Sequence, residues 1–240
     1  MKCISLLLFL LTLVKTPLLA DQNPWRIIEK CQKASQDLNY KGIYISQHGH
    51  ELKSVEITHA LYGNEQFTRI NLLDGNADEV LSHGKNVVIY HKHDNNVVVQ
   101  KRERQHLFPA IFPSDITNIK KYYLLSFGIS QRVAGRMSQR VNLIPKDSFR
   151  YTYNFWLDQK TSLPLKMVIR NFDNEVLEQS AFNKIQFNTI TDLEWFTPTL
   201  DSSKKYLIDE SITKEINLNR FWTASNIPPG FKEVNFMVSK

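Results

Sequence analysis

Apolar residues in the first part of the chain recur with the period of a helix. Between Trp25 and Leu38 they fall every three or four positions, on one side that also carries Cys31. Asn23 is placed to cap this segment, and Pro24 stands at the favoured first helical position. We therefore predict one amphipathic helix here.

From Tyr40 the period changes to two, which is typical of strands with one buried face. Six alternating segments follow, separated by short turns rich in Gly, Asn, Asp and His. They are YKGIYISQ, LKSVEITHALY, QFTRINLL, DEVLSH, NVVIYHK and NVVVQKRE. Connections this short join antiparallel neighbours, so this half predicts one meandering sheet.

Pro109 and Pro113 interrupt the meander and exclude a central strand, while Ile116–Tyr123 has the spacing of a short helix. Strand alternation resumes after it, with a turn at Ala134 and Gly135, and brings the total to about eleven strands. The predicted fold class is mainly β (α+β). We expect an open, strongly curved antiparallel half-barrel with the first helix as a plug inside or across it.

The two ends of the chain differ from the sheet. Lys2, the apolar run Ile4–Val14 and the small residue Ala20 follow the order of a secretory signal peptide. The run is shorter than the roughly 20 residues of a membrane-spanning helix. We predict a signal peptide over residues 1–20, cleaved near Ala20, and an exported protein that does not span the membrane.

Past Trp195 the polar stretch 197–219 predicts a linker, which places a β domain at 21–196. Residues 220–240 contain large aromatic residues and a Pro-Pro-Gly turn, but they are too few to bury a core of their own. We expect them either to dock on the β domain or to begin a truncated C-terminal domain.

Charge and cysteine content exclude several classes of protein. The formal net charge of +6 comes without a long basic run, so nucleic-acid binding is not predicted. Cys31 is the only cysteine outside the predicted signal peptide, which excludes an internal disulfide.

The histidine pairs His48 with His50 and His91 with His93 are spaced to share a strand face, but a metal site needs a third ligand and supporting groups. Solvated turn residues explain these pairs more simply. The chain also lacks the G-x-S-x-G elbow and the phosphate-loop spacings. We predict no catalytic residue, no cofactor and no metal site, and therefore not an enzyme.

Apolar and aromatic rows on the predicted sheet are the remaining functional signal. Tyr153 and Phe155 share one face, and Trp156 lies on the opposite one. Most such side chains build the core, yet a curled sheet that its own side chains do not fill can hold an apolar ligand. Strand alternation gives as candidates for such a cleft Tyr44, Val55, Ile57, Tyr90, Tyr153, Phe155, Met167 and Ile169.

Four segments carry a resemblance to a known family. They are FPAIFPSDI (108–116), QRVAGRMSQRVNLIPKDSFRYTYNFWLDQKTSLPLKMVIRN (131–171), VLEQSAFNKI (176–185) and NIPPGF (226–231). In this order they resemble the RseB/MucB family, and the similarity runs from about Trp25 to Phe231. RVAGR with PKDSFRYTYNFWLD is the most specific part, because the wider lipoprotein-carrier fold also shows the pattern of WLDQKTSLPLK.

The resemblance implies an N-terminal domain similar to the lipoprotein carriers LolA and LolB, followed after a linker by a smaller C-terminal β domain. The family continues well beyond the segment that corresponds to NIPPGF, so here the second domain is expected to be truncated.

In function, the resemblance implies a periplasmic negative regulator of the envelope-stress sigma-E response. Such a protein binds the periplasmic region of the anti-sigma factor RseA and shields it from site-one proteolysis. Lipopolysaccharide or lipoprotein acyl chains are candidate ligands of the apolar cleft, and a homodimer is left open. Two alternatives remain: a periplasmic lipoprotein or lipid carrier of LolA type, and a truncated regulator defective in partner binding.

Overall fold

The computed structural model of the protein describes residues 23–76, 78–84, 86–93, 96–101, 112–113, 115–189, 192–198, 205, 207–209 and 226–231. The predicted signal peptide lies outside the described residues, as do most of the predicted linker and most of residues 220–240.

The predicted amphipathic helix is confirmed as α1, Arg26–Asp37, whose buried residues Ile28, Cys31 and Ala34 follow helical spacing. A turn precedes it, in which the Asn23 side-chain oxygen accepts a hydrogen bond from the backbone N–H of Trp25 at 3.1 Å. The carbonyl oxygens of Asn23 and Pro24 accept from residues three positions ahead, so this turn is tighter than an α-helix. Pro24 therefore lies in the turn, and the predicted helix start is wrong by two residues.

Within the described residues, thirteen strands form one sheet. The strands are β1 Tyr40–His48, β2 Glu51–Tyr62, β3 Glu65–Leu72, β4 Glu79–His83, β5 Asn86–His91, β6 Asn96–Lys101, β7 Tyr123–Phe127, β8 Gln131–Val133, β9 Arg136–Pro145, β10 Thr152–Asp158, β11 Pro164–Arg170, β12 Val176–Phe187 and β13 Leu207–Asp209. The six segments predicted for the first half match β1 to β6 to within one or two residues at each end.

Across the sheet the strands follow the order β13-β6-β5-β4-β3-β2-β1-β12-β11-β10-β9-β7, with β8 pairing β9 beside β7. Neighbours are antiparallel except β13, which runs parallel to β6. Pairing of β1 with β12 joins the two halves of the chain. Among the described strands the edges β13 and β7 do not pair with each other, so the open antiparallel sheet is confirmed.

Two local features raise the strand number above the predicted count. The segment 128–130 divides one predicted strand into β7 and β8, and the register on β9 slips by one residue between Phe127–Val141 and Gln131–Ser138. Strand β13 lies inside the predicted linker. The predicted turn between β8 and β9 is confirmed, because Ala134 and Gly135 both have positive φ, 47° and 78°, as a two-residue hairpin requires.

Helix α1 lies across the middle of the sheet. Ile28 and Cys31 belong to a buried cluster with residues of β9, β10 and β11, including Phe155. Ala34 belongs to a second cluster with residues of β1, β2, β11 and β12, including Tyr40. One helix thus contributes to cores that draw on six consecutive strands, as expected of a helical plug in a curled sheet.

Two short helices complete the unit. The predicted short helix is present as α2, Thr117–Tyr122, directly before β7. A 3-10 helix, Leu193–Phe196, packs on the other face of the sheet, where the Phe196 ring lies 5.4 Å from that of Phe67 and Arg69 donates to the Trp195 carbonyl at 3.2 Å. No helix in the part of the chain that the structure describes is long and apolar enough to cross a membrane.

Candidate functional site

Seven of the eight predicted cleft residues share the helix face, which is the face of the sheet on which α1 lies. Directly paired residues of antiparallel strands lie on the same face, and the pairing of β1 with β2 and of β10 with β11 groups them. The seven are Tyr44, Val55, Ile57, Tyr153, Phe155, Met167 and Ile169.

Tyr90, the eighth candidate, lies on the opposite or outer face. Ile70 of β3 pairs with Ile57 on one side and with Val80 on the other. Val80 in turn pairs with Ile89, which therefore shares the helix face and leaves its neighbour Tyr90 on the outer one. In this strand three apolar residues follow one another, so alternation alone does not define which face is buried.

Three of the seven are already covered by the protein itself. Ile57, Phe155 and Met167 are 3, 2 and 7% exposed, and they belong to the two clusters that α1 completes. Their apolar area is used in folding, at roughly 1.5 to 3 kcal/mol for each side chain. A ligand reaches them only if α1 moves.

The other four candidates lie toward the same end of the helix face. Tyr44, Val55, Tyr153 and Ile169 are half-buried and stand near the strand ends where β1 pairs with the start of β12. We call this region, with the half-buried Tyr123 beside it, the open end.

A row of aromatic rings connects the open end with the core under α1. The Tyr123 and Tyr153 rings meet edge to face at 6.1 Å. Tyr153 stacks in parallel on Phe155 at 6.1 Å, and Phe155 meets Phe112 at 4.9 Å. Such ring pairs favour the observed edge-to-face and offset geometries, so these contacts stabilise the row.

Burial raises the pKa of the tyrosines of the open end further above neutral pH. Loss of solvation is the main cause that raises the pKa of Tyr123 to about 12, and it raises the pKa of Tyr44 and of Tyr153 as well. The carboxylate of Glu178 adds to the rise at Tyr44 and Tyr153, while a hydrogen bond with Ser180 acts against it at Tyr44. The rings of the open end are thus uncharged, and charged groups act on them from nearby: Glu178 on Tyr44 and Tyr153, and Arg150 and Asp147 on Tyr123.

Two open cavities lie on the outer face over β1 and β12. One of about 270 Å³ is lined by residues that include Ile45, Ala181 and Lys166. The other, of about 300 Å³, includes Ile43 and Trp195. Neither cavity includes any of the eight predicted cleft residues. The helix face therefore offers an apolar surface at its open end, and neither of these two cavities lies on that face.

Trp156 lies on the outer face, as predicted. Its indole N–H donates to the Gln131 side chain at 2.7 Å. The Arg140 guanidinium lies 5.3 Å from the ring centroid and the Lys166 ammonium 4.8 Å from it. Two cations over one indole explain why this tryptophan is buried on the face away from α1.

The two most recognisable motifs of the chain meet at Asp158. Arg136, which ends RVAGR, donates from Nε and Nη2 to the two carboxylate oxygens of Asp158 at 2.9 and 3.0 Å. The Thr161 backbone N–H and hydroxyl donate to the same group at 2.9 and 2.8 Å. Burial acts to raise the pKa of Asp158, but these donors outweigh it and hold the pKa below its ordinary value. The motifs thus brace the hairpins together, a structural role.

The groups considered for chemistry are placed as follows. His91 lies at the end of β5, with Nδ1 2.9 Å from the Asp78 carboxylate. Burial raises the pKa of the Cys31 thiol to about 12, which leaves it unreactive. Within the described ranges, no three His, Cys, Asp or Glu side chains lie close enough to hold a metal ion.

Two residues of the open end were not among the sequence candidates, Tyr123 and Glu178. Tyr123 follows α2 directly. Because the period changes there from that of a helix to that of a strand, the sequence does not indicate on which face of the sheet Tyr123 lies. Glu178 precedes Phe182 by four residues in β12, so alternation traced back from Phe182 would have placed it on the helix face.

The fold is thus an open antiparallel sheet with a helix across one face and an apolar open end. The family described as MucB/RseB N-terminal domain matches residues 23–200. This chain belongs to that family, as the sequence resemblance predicted.

Curated relatives include two sigma-factor regulators. The sigma-E factor regulatory protein RseB of Escherichia coli (strain K12) is 26% identical over 211 residues, which cover 87% of this chain and 65% of the relative. The sigma factor AlgU regulatory protein MucB of Pseudomonas aeruginosa is 27% identical over 189 residues, which cover 77% of this chain and 57% of the relative. The chain thus spans less than two thirds of the length of these relatives.

Solved structures show the same fold. The complex of Pseudomonas aeruginosa MucA and MucB matches with a TM-score of 0.66 at 20% identity, covering 87% of this chain and 68% of that one. A crystal structure of MucB in complex with MucA(peri) matches with a TM-score of 0.66 at 19% identity, covering 88% of this chain and 67% of that one.

Proposed function

We propose that this protein is a negative regulator of an envelope-stress sigma factor that acts by binding the periplasmic region of an anti-sigma factor. The observation that carries the proposal is the family match over residues 23–200, which contains α1 and the strands β1 to β12. Relatives named sigma-factor regulatory proteins support it, as do MucB structures solved with MucA.

The mechanism is protection and involves no bond making. A regulator bound to the anti-sigma factor covers the segment that the site-one protease cuts, so the fraction of anti-sigma factor that is cut follows the unbound fraction. In accord with this role, the ionic groups around Asp158 are used to brace hairpins, and Cys31 is held as an unreactive thiol. We propose no enzymatic activity.

The open end of the helix face is the proposed sensor. An acyl chain from a lipid or lipoprotein would contact Tyr44, Tyr153 and Ile169, which are half-buried without ligand. Binding and release are linked, so such a ligand relieves protection only if it binds the free regulator more tightly than the complex. At saturation, the ligand lowers the affinity of the regulator for the anti-sigma factor by the ratio of the ligand's own two affinities.

The proposed compartment rests on the signal-peptide pattern of residues 1–20. We propose that residues 1–20 direct export and are removed near Ala20, and that the mature protein works in the periplasm. The β domain 21–196, the linker 197–219 and a further unit from 220 onward remain our proposal for the organisation of the chain. The match to residues 23–200 and the 3-10 helix at Leu193–Phe196, which packs back on the sheet, support the first boundary.

A protease-protection assay tests the proposal. The mature protein is mixed at micromolar concentration with the periplasmic segment of the cognate anti-sigma factor, and cleavage by the site-one protease is followed over time. We expect cleavage to slow as the regulator is added. Unchanged cleavage, with the protein shown to be folded, would rule the function out.

A pair of variants tests the sensor. Ile169→Ser at the open end should weaken binding of a fluorescent acyl chain, because it removes apolar contact area. Tyr90→Ser is the matched control on the outer face and should leave binding unchanged. An equal loss in both variants, or in neither, would contradict the placement of the sensor and would leave the protection assay unaffected.

A further inference from the structure

The segment Asn226–Phe231 lies against the loop between β9 and β10, which is far from it in the sequence. Arg150 is in the loop between β9 and β10, and its Nη2 donates a hydrogen bond to the carbonyl oxygen of Pro229, 79 residues further along the chain. The same guanidinium forms an ion pair with Asp147.

Two aromatic rings enclose this guanidinium. Its central carbon lies 4.1 Å from the Tyr122 ring centroid and 4.5 Å from that of Phe231. The Arg150 side chain is only 9% exposed, although it is in a loop. A cation placed over ring faces and partly removed from water is a favourable contact, and here it joins the two segments.

The docked segment has a defined shape. The Phe231 backbone N–H donates to the Pro228 carbonyl at 3.1 Å, and Gly230 has φ +80°. Proline followed by a glycine with positive φ is the signature of a type II turn, so Pro228–Phe231 is such a turn. A Cβ on residue 230 would come within 2.2 Å of the Tyr122 ring, so only glycine permits this approach.

The receiving surface is braced from behind. Lys146, at the end of β9, donates from its backbone to the Tyr122 carbonyl at 2.9 Å. Its ammonium group donates to the carbonyls of Lys120 and Lys121 at 3.2 and 3.0 Å. These bonds hold the last turn of α2, and with it the Tyr122 ring, against the β9–β10 loop.

We propose that Tyr122, Asp147 and Arg150 form an intramolecular docking site for the Pro-Pro-Gly-Phe turn, and that this site fixes the chain beyond the sheet to one end of the β unit. Tyr122 is followed directly by Tyr123 of the open end. The site therefore sets the departing chain beside the proposed sensor surface. The docking contacts stand on geometry within the chain, and only their position beside the sensor surface rests on the proposed function.

Amide hydrogen exchange in the full mature protein tests the site. In the wild-type protein we expect the amide of Phe231 to exchange about tenfold or more slowly than in an unstructured chain, because the docked turn shields it. Arg150→Ala should remove that protection. Arg170→Ala is the matched control: Arg170 also lies at a strand end and donates to a loop carbonyl, that of Asn174 at 2.9 Å, and its loss should leave Phe231 protected.

A second variant separates docking from folding. Gly230→Ala alters the turn and leaves the β unit untouched, and it should free Phe231 while the amide of Phe155 in the sheet keeps its protection. If Arg150→Ala also lowers protection at Phe155, that variant disturbs the sheet itself, and the test of docking then rests on Gly230→Ala alone. Unprotected Phe231 in the wild type, or protection kept in both variants, would overturn the proposal.

Discussion

The Asp158 carboxylate joins two segments of the chain, one that contains Arg136 and one that contains Thr161. Its side chain is 1% exposed and accepts four hydrogen bonds, two of them from the Arg136 guanidinium. A buried carboxylate held in this way is stabilising only while its partners are present, because an unpaired buried charge is costly.

Asp158→Asn should therefore lower the free energy of unfolding by about 3 kcal/mol, since it leaves the Arg136 charge facing a neutral amide. The measurement is urea unfolding at neutral pH. Asp173→Asn, at an exposed turn position, is the control and should stay within about 0.5 kcal/mol of wild type. Equal stability of the two variants would show that the Arg136 contact adds nothing to stability.

His59 makes stability depend on pH. It is 5% exposed, stacks on Tyr40 at 5.1 Å, and its Nδ1 lies 2.8 Å from the Leu38 carbonyl oxygen, to which the neutral ring donates. Burial lowers its pKa, and the hydrogen bond to Leu38 and the charge of Asp37 only partly oppose this. The unfolded chain therefore takes up a proton near pH 6.5 while the folded protein does not.

Stability should thus fall as the pH drops below about 6.5, at up to about 1.4 kcal/mol per pH unit for this group. Urea unfolding at about pH 7.5 and pH 5.5 measures the loss, and His59→Gln should reduce it by about 1 kcal/mol. His50→Gln, at an exposed turn, should keep the full wild-type loss. The assignment fails if the His59 variant loses as much stability as wild type over this range.

At the scale of elements, α1 is the part that closes the core. Ile28 and Cys31 are both fully buried in one cluster, Ala34 is buried in the other, and the two clusters together reach from β9 to β2. Helical propensity alone would not keep a helix of this length formed, so packing on the sheet must supply most of its stability.

Ile28→Ala should cost about 2 to 5 kcal/mol, because it leaves a cavity between α1 and the sheet. Lys33→Ala, on the exposed side of the same helix, should change stability by less than about 0.5 kcal/mol. Thermal unfolding followed by circular dichroism compares the two variants. Similar melting temperatures would mean that α1 is not packed as described.

Most elements could be predicted from the sequence because each carries its own period and punctuation. The strands β1 to β5 are runs rich in strand-forming residues that end before turns containing Gly, Asn or Asp, and the helix before them buries a stripe of spacing three and four. The division of β7 from β8 was not predictable in this way, since the register slip near Gly128 depends on how β9 pairs beside it.

The candidate site was predictable only in part. Alternation placed Tyr153 and Phe155 on one face and Trp156 on the other, because polar Thr152 and Asn154 alternate with Tyr153 and Phe155 at the start of β10. It failed at Tyr90, where the strand is apolar on both faces. Nor could it separate Phe155, which α1 covers, from Tyr153, which stays half-buried, because that difference depends on where a distant helix comes to lie.

At the scale of the whole molecule, the segments after the sheet return to it in two places that local sequence does not announce. Strand β13 pairs parallel to β6, and Pro229 reaches Arg150. Contacts between residues this far apart in the chain depend on the completed sheet. The polar stretch 197–219 has the weak periodicity of a linker, so its sequence did not reveal that Leu207–Asp209 pairs with β6.

The position of α1 over the helix face gives the last prediction, which concerns how a ligand enters. Cys31 is fully buried on the side of α1 that packs on the sheet, and the raised pKa of its thiol makes it a reporter of helix displacement. If an acyl chain binds at the open end, it contacts Tyr44 and Tyr153 without lifting α1, so Cys31 should stay shielded. Reaction of Cys31 with a thiol reagent should then change by less than about twofold when a fluorescent acyl chain saturates the protein. An increase of about tenfold or more would mean that the ligand displaces α1 and binds where Phe155 and Met167 now pack.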